Sequence, residues 1–338
     1  MDLSERIKVL VQLGQHLRGE DEYLEAVMHQ TLYNNAWFTI ENQKLAVNAI
    51  ALEFLEAEKL KTWTSQYKID DDTNAKKVGL VLAGNIPLVG FHDILCVFVA
   101  GHISQIKLSE KDKYLLPYLL KLLHRFDERT ADYFDVVERL DDFEAVIATG
   151  SNNSSRYFEA YFGKYPHIIR RNRNTVAVLS GDENAKELTA LGHDIFRFFG
   201  LGCRNVSKIY IPQGFNFEPL LEALHEHRDI VRNTKYKNNF DHNYAIIILD
   251  REKYEANGCI LMREGDSLQS NIACLNYSYY DSKSSLEQEL LHRNQEIQCV
   301  VSKPIFEKQI VLPFGKAQEP SLIDYADGVD TMEFLVNL

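Results

Sequence analysis

Four short segments carry side chains that could do chemistry. Gly84-Asn85-Ile86-Pro87-Leu88 directly follows an apolar run, and Lys107-Leu108-Ser109-Glu110 closes the next. Thr149-Gly150-Ser151 ends a third run, and Gly200-Leu201-Gly202-Cys203-Arg204-Asn205-Val206-Ser207 leads into a fourth. A cysteine thiolate is a nucleophile toward carbonyl carbon, which makes Cys203 the candidate catalytic residue. Each segment alone also has a plain structural account. Pro87 fixes φ and Asn85 bonds local backbone in an ordinary turn. Lys107 and Glu110 make a solvated pair at a strand end, and Gly150-Ser151 a tight strand-to-helix turn. Cys203 in its glycine-rich turn is then an inert buried thiol, the common state of free cysteine.

The elements that must position these segments follow from period and composition. The first 65 residues read as helices: Asp2 and Glu5 have capping-box spacing, and Leu3, Ile7, Leu10, Val11 and Leu17 form one apolar face. The polar stretch Asp70-Asp71-Asp72-Thr73-Asn74 marks a loop. Short apolar runs at Val78–Ala83, Ile103–Leu108, Ala145–Thr149 and Thr175–Leu179 then alternate with helical patterns, notably Tyr114–Phe126 and Arg156–Phe162. That alternation predicts βαβ units and a parallel sheet. A second set of strands is expected at Ser207–Ile211, Tyr244–Asp250, Gly258–Met262 and Ile297–Ser302, beyond a helix over Asn184–Phe199. The domain boundary is expected in or near that helix, giving domains 1–190 and 191–338.

Composition narrows the function classes. The chain has 338 residues, 45% of them hydrophobic, enough for a substantial core and two domains. A formal net charge of −12 repels phosphate backbones and argues against a nucleic-acid partner. Residues 1–20 carry Asp2, Glu5, Arg6 and Lys8, which do not suit a secretory signal. The most apolar stretch, Val78 to Ile106, is interrupted by Asn85, Pro87, His92 and Asp93, so no membrane span is expected. Five scattered cysteines without a CxxC pair suggest neither a zinc site nor a disulfide framework. No metal is expected, and a reducing cytoplasm fits.

Taken together and in this order, the four segments resemble the aldehyde dehydrogenase superfamily. That family has an Asn-aromatic-Pro-Leu turn, a Lys-Pro-Ser-Glu strand end, a Thr-Gly-Ser turn, and Gly-Gln-x-Cys with a serine four residues after the cysteine. Asn85, Pro87 and Leu88 match the first, with Ile86 in place of the aromatic residue. Lys107, Ser109 and Glu110 match the second, with Leu108 for proline. Thr149, Gly150 and Ser151 match the third, and Gly200, Cys203 and Ser207 the last, with Leu201 for glutamine. The resemblance runs from about Val78 to Pro212, with weaker echoes at Glu296-Ile297 and Pro313-Phe314-Gly315. Within the superfamily the chain is similar to the acyl-CoA reductases related to the fatty-acid reductase of bacterial bioluminescence. The basis is Ala83 to Pro87, Phe199 to Cys203, and Asp324-Tyr325-Ala326-Asp327-Gly328. The implied fold is α/β, aldehyde-dehydrogenase-like: a Rossmann-type cofactor domain plus a second α/β catalytic domain.

One departure carries chemical weight. Hydrolytic members of the family keep a glutamate before a strand like Thr175–Leu179, where it activates water to cleave the thioacyl enzyme. The corresponding segment here is Ile168-Ile169-Arg170-Arg171-Asn172-Arg173-Asn174, and no Asp or Glu occurs between Glu159 and Asp182. The resemblance therefore implies reduction of an acyl thioester, acyl-CoA or acyl-protein, to an aldehyde through acyl-Cys203. It assigns the oxyanion to Asn85 and the Cys203 N–H, and the adenosine ribose to Lys107 and Glu110. The pyrophosphate falls to Gly150 and Ser151, and the nicotinamide ribose to Glu296, with Gln298 where a phenylalanine is expected. Glu110 suits NAD and Lys107 offsets its repulsion of a 2′-phosphate; the resemblance favours NADPH, with NADH the alternative. Relatives form homo-oligomers, and this chain is much shorter than they are. The Arg170, Arg171 and Arg173 cluster reads either as a solvated loop or as a phosphate clamp. His167 and His193 read as structural or as acid–base groups. Two rival functions stand beside this one: a cysteine acyltransferase or thioesterase without nicotinamide chemistry, and a non-catalytic scaffold.

Overall fold

A computed structural model describes residues 1–71 and 74–338; of the polar stretch expected as a loop, Asp72 and Thr73 lie outside the described residues. The chain forms two compact units, Met1–Asn172 with Pro320–Leu338, and Arg173–Glu319. The expected division at 190/191 is corrected by this result. The helix taken as the boundary packs on the strand and helix that follow it, so it lies wholly within the second unit. The crossing falls earlier, in the polar Arg171–Arg173 segment, and the C-terminal residues return to the first unit.

The first unit opens with α1 (Leu3–Leu17), α2 (Glu22–Asn34), α3 (Ile40–Ala49) and α4 (Ala57–Thr64), with a π-helical turn at Ile50–Phe54. The capping box forms as its spacing implies: Asp2 accepts from the Glu5 N–H and Glu5 accepts from the Asp2 N–H. Leu10, Leu13 and Leu17 are buried, while Leu3, Ile7 and Val11 flank them half-buried on the same core. Then come β1 (Lys77–Val81), α5 (Phe91–Val99), β2 (Ile103–Lys107), α6 (Leu115–Phe126), β3 (Phe134–Val136), β4 (Ala145–Thr149), α7 (Asn152–Phe162) and β5 (His167–Arg170). The strands pair in parallel in the order β3-β2-β1-β4-β5. β1 and β4 are buried along nearly their whole length, as a parallel sheet covered on both faces requires. From β1 the chain winds one way through β2 and β3, then resumes at β4 on β1's other side. A crevice therefore lies outside the carboxyl ends of β1 and β4, the place where such sheets bind ligands.

The second unit holds β6 (Asn174–Val178), α8 (Ala185–Phe196), β7 (Val206–Pro212), α9 (Glu218–His225), α10 (Thr234–Asp250), β8 (Tyr254–Ala256), β9 (Leu261–Glu264), β10 (Cys274–Tyr280), α11 (Lys283–His292) and β11 (Ile297–Ser302). Its sheet runs β11-β6-β7-β10-β9-β8, parallel except for the β8–β9 pair. The strand expected at Tyr244–Asp250 is instead the end of α10. Asn233 caps this helix, and Tyr236, Phe240, Asn243 and Ile247 are buried at helical spacing. That packing outweighs the β-branched preference of Ile246-Ile247-Ile248, worth only tenths of a kcal/mol per residue, about 0.5 or less. The strand expected at Gly258–Met262 begins later, at Leu261, because Gly258 turns the chain with φ +86°.

The last helix, α12 (Thr331–Val336), belongs to the first unit. Several hydrogen bonds bind this returning segment. Trp63 Nε1 donates to Tyr325 Oη at 2.7 Å, and Tyr67 Oη lies 2.7 Å from Tyr325 Oη while donating to Asp330. Arg170, at the end of β5, forms a buried ion pair with Asp93 of α5 and donates to Thr331 Oγ1 at 2.9 Å. Arg170 is thus neither a solvated loop residue nor a phosphate clamp: its charge is spent inside the unit. Replacing it by alanine strands the Asp93 carboxylate. Arg170→Ala should lower the unfolding free energy by about 3–5 kcal/mol, read from urea denaturation. A loss below about 1 kcal/mol, the value of an exposed pair, would contradict this assignment.

Candidate active site

In the first unit, three of the four chemistry-bearing segments lie at the carboxyl ends of β1, β2 and β4. The first two are pressed together. A Cβ added to Gly84 would stand 2.2 Å from Ser109 Oγ, so only glycine fits there. The Leu82 N–H also donates to Lys107 O at 3.2 Å. Leu88 holds a left-handed φ of +57°, unusual for a branched side chain. Its N–H donates at 2.7 Å to Oδ2 of Asp112, a buried carboxyl whose Oδ1 has no hydrogen-bond partner. Burial pushes that carboxyl up to about 6. Asp112 thereby pins the turn that carries Asn85, itself half-buried.

The other residues expected to meet a cofactor stand around the same crevice. Lys107 is exposed, and the Glu110 carboxylate is 92% exposed and 3.7 Å from Lys113 Nζ. Gly150 makes a tight turn against the Phe158 ring, and Ser151 is the N-cap of α7, its Oγ accepting from the Ser154 N–H at 3.2 Å. A helix N-terminus directly after a strand, with an exposed carboxylate and cation at the neighbouring strand end, is a donor set that suits a dinucleotide. The amide ends suit a pyrophosphate, and the carboxylate suits ribose hydroxyls.

Cys203 lies in the second unit, in a tight turn closed by the Asn205 N–H donating to Gly202 O at 3.0 Å. It is half-buried, whereas Cys96, Cys259 and Cys274 are buried. The chain reaches it from α8 through three successive positive φ values: Phe198 +52°, Phe199 +58° and Gly200 +73°. One buried side chain holds this run. Asn205 Oδ1 accepts from the Gly202 N–H at 2.8 Å, and its Nδ2 donates to Asp194 O, Ile195 O and Arg197 O at 3.1, 3.3 and 2.8 Å. From the far side, Thr175 Oγ1 donates to Cys203 O at 3.0 Å. Asp194, on α8, is fully buried and takes two backbone donors from the Pro313-Phe314-Gly315 loop, Gly315 N at 2.6 Å and Ala317 N at 3.0 Å. It is the acidic residue nearest to Cys203 in the chain, and both its oxygens are committed to the fold.

Asn85, Lys107, Glu110, Gly150 and Ser151 belong to the first unit, and Cys203 and Glu296 to the second. Glu296 precedes β11 and forms a two-pronged pair with Arg293, Nε to Oε1 at 3.2 Å and Nη2 to Oε2 at 3.1 Å, which holds its carboxyl below the ordinary range. Any contact to a ribose would compete with that pair. His193 lies on the exposed face of α8 with its ring 5.0 Å from that of His227. His167 opens β5 and bonds Tyr165 O through Nδ1 at 2.8 Å. Arg171 pairs with Glu159, and Arg173 donates to Asn294 O at 3.2 Å, so the three arginines do not act as one cluster. The segment without a carboxylate is β5 and its crossing to β6. Among the described residues no group of three or more His, Cys, Asp or Glu side chains could hold a metal, and no helix is long and apolar enough to cross a membrane.

Sequence reasoning missed Asp112, Thr175, Asp194 and Asn205. Of these, only Asn205 had a readable signal, an amide two residues after the cysteine of a glycine-rich turn.

No family model matches the chain, and no curated protein matches it. Solved structures do. An oxidoreductase from Marinobacter aquaeolei superposes with a TM-score of 0.70 at 11% identity, covering 95% of this chain and 79% of that one. An aldehyde dehydrogenase from Bacillus cereus, solved as its NAD+ complex, gives 0.64 at 14%, covering 91% and 73%. An NAD-dependent aldehyde dehydrogenase from Sinorhizobium meliloti gives 0.64 at 11%, covering 90% and 71%. The chain has the aldehyde-dehydrogenase fold, α/β with a Rossmann-type parallel sheet and a second, mixed sheet. Identities this low establish the fold and nothing finer.

Burial pushes the Asp194 carboxyl from an ordinary value of 3.8 up to about 6. The fold thus favours its protonated form. That contribution is full below about pH 4 and is lost as pH rises through 6. Relative to Asp194→Asn, the wild type should lose about 3 kcal/mol of stability between pH 4 and pH 7. Urea denaturation of both proteins across that range measures it, and parallel curves would mean that the two N–H donors keep the carboxylate ionised throughout.

Proposed function

We propose that this protein is a nicotinamide-dependent reductase that converts an acyl thioester, with acyl-CoA the leading candidate, to an aldehyde through an acyl-Cys203 intermediate. The observation that carries this reading is a half-buried cysteine held in a clamped, strained turn on the aldehyde-dehydrogenase fold, with no carboxylate from Ile168 to Asn174 to recruit water.

In this reading the Cys203 thiolate attacks the thioester carbonyl, and the oxyanion is met by the Cys203 N–H and the Asn85 amide. The thiol leaves and the acyl group stays on Cys203. Hydrolysis of that thioester needs a base that holds and deprotonates water. Ile168–Asn174 supplies none, and Asp194, bonded by two backbone N–H groups, is not disposed to serve. The acyl enzyme therefore persists.

The crevice outside β1 and β4 would hold the cofactor, with the α7 N-terminus at Gly150 and Ser151 on the pyrophosphate and Lys107 and Glu110 at the adenosine ribose. When bound, a reduced nicotinamide supplies the hydride that takes the acyl group to the aldehyde level. Lys107 offers a cation to a 2′-phosphate, which favours NADPH; the Glu110 carboxylate keeps NADH as the alternative.

The test is oxidation of NADPH, and in parallel NADH, with a panel of acyl-CoA thioesters of increasing chain length. The wild type should consume reduced cofactor and release aldehyde. Cys203→Ser should lose at least about 1,000-fold in kcat, and Asn85→Ala about 100- to 1,000-fold. Undiminished turnover by Cys203→Ser would end the covalent mechanism. Acylation of Cys203 with no cofactor oxidation would instead select a cysteine acyltransferase or thioesterase.

A further inference from the structure

A second thiol, Cys299, shares the Thr175 hydroxyl with the Cys203 backbone and has no part in the chemistry above. Thr175 Oγ1 is 3.0 Å from Cys203 O and 3.1 Å from Cys299 Sγ, so Cys299 Sγ is no more than 6.1 Å from the carbonyl oxygen of Cys203. The topology makes the meeting. Thr175 is the second residue of β6, the strand flanked by β7 and β11. Cys203 sits in the turn just before β7 and Cys299 near the start of β11, so parallel pairing brings both to the same end of the sheet. The β6–β11 register shifts between Ile297 and Val300, the stretch that contains Cys299. Such an irregularity re-aims a side chain from its regular strand direction.

We propose that Cys203 and Cys299 form a reversible oxidative modification site, in which Cys299 is the resolving thiol for Cys203 oxidised by a hydroperoxide. In the first step the Cys203 thiolate attacks the peroxide. An S–O bond forms and the O–O bond breaks, leaving Cys203 as the sulfenic acid and the peroxide reduced to an alcohol, or to water from hydrogen peroxide. In the second step the Cys299 sulfur attacks Cys203 Sγ. An S–S bond forms, the S–O bond breaks, and hydroxide leaves as water with the proton from Cys299. Two thiols and one hydroperoxide thus give one disulfide, one alcohol and one water. A dithiol reductant restores both thiols by exchange.

The surroundings suit this order of events. Burial pushes the Cys299 thiol up to about 11, against a smaller opposing effect from the Arg204 guanidinium. Thr175, Cys203, Arg204 and Asp194 are the polar groups that act on it. Both thiols are half-buried, and a thiol kept protonated is a poor first target for peroxide, so Cys299 suits the second step rather than the first. Cys203 would thus be oxidised first. A neighbouring thiol then captures the sulfenic acid before it advances to the irreversible sulfinic and sulfonic acids. The inference concerns the thiol pair alone and stands whether or not the chain reduces thioesters.

The experiment treats the full-length protein with hydrogen peroxide, quenches it with an alkylating reagent, and maps peptides by mass spectrometry under non-reducing conditions. The wild type should yield a Cys203–Cys299 cross-linked pair that dithiothreitol removes, returning Cys203 to an alkylatable thiol. Cys299→Ser and Cys299→Ala should both lose the pair, and Cys203 should accumulate as sulfinic and sulfonic acid that dithiothreitol does not reverse. Two alternatives guard against misfolding of either one, with far-UV circular dichroism as the check. Over-oxidation of Cys203 at the same rate in the wild type and both variants, or a cross-link to Cys96, Cys259 or Cys274 in place of Cys299, would overturn the proposal.

Discussion

Three left-handed residues in a row, two of them phenylalanines, would not persist in an isolated peptide, because each side chain crowds its own backbone at positive φ. Asn205 makes the run possible. Its amide satisfies one N–H and three carbonyl groups that the broken helix end and the turn would otherwise leave without partners. A buried amide in this position cannot be exchanged for an apolar residue without stranding several backbone groups at about 1–3 kcal/mol each. The conformation of Cys203 is therefore decided by a residue two places further on. Thr175 on the next strand and Asp194 on the preceding helix fix the same turn from its other sides. Through Asp194, the Pro313-Phe314-Gly315 loop is fastened to the helix that leads into the Cys203 turn.

The two units use opposite ends of their sheets. In the first, Asn85, Lys107, Glu110, Gly150 and Ser151 lie at or just past the carboxyl ends of β1, β2 and β4, where a helix N-terminus offers partial positive charge. In the second, Thr175, Cys203 and Cys299 gather at the amino ends of β6, β7 and β11. Cys203 follows α8 and the left-handed run Phe198–Gly200. Arg204 is the cation at hand. Its effect on the neighbouring Cys299 is to lower the pKa that burial raises. The first unit thus offers backbone dipoles at its sheet end, and the second a cationic side chain beside its thiols.

Local signals carried much of this into the sequence. The Asp2–Glu5 cap, the strands β1, β2, β4, β6, β7 and β11, and the order of the four segments were all legible, because each depends on residues close together in the chain. What failed was set by distant contacts. The run Ala245–Leu249 has strand-like composition, yet Tyr236, Phe240 and Asn243 commit it to a helix one face at a time. β3, β5 and β8 are too short to show a period, and β5 ends in a charged residue whose partner lies on α5. Asp112 and Thr175 were invisible for the same reason: a lone carboxylate and a lone hydroxyl acquire roles only when folding brings Leu88 to one and two cysteines to the other. The domain boundary was displaced because α8, in or near which it was expected, packs on β7 and α9 within the second unit.

The missing carboxylate has a structural side as well as a chemical one. Arg170 fills part of the segment where a base would stand, and its guanidinium is buried against Asp93 and Thr331. A carboxylate at that position would face Asp93 with like charge in a dry environment, at a cost that an unpaired buried ion makes prohibitive. Next along, Arg171 and Asn172 are exposed, and a side chain there would lack the packing that holds a general base within hydrogen-bond reach of one water. The contact that ties the C-terminal helix to the first sheet is made by a residue of the segment from which the base is absent. The arginine that stands in this segment in place of a carboxylate thus also stabilises the unit.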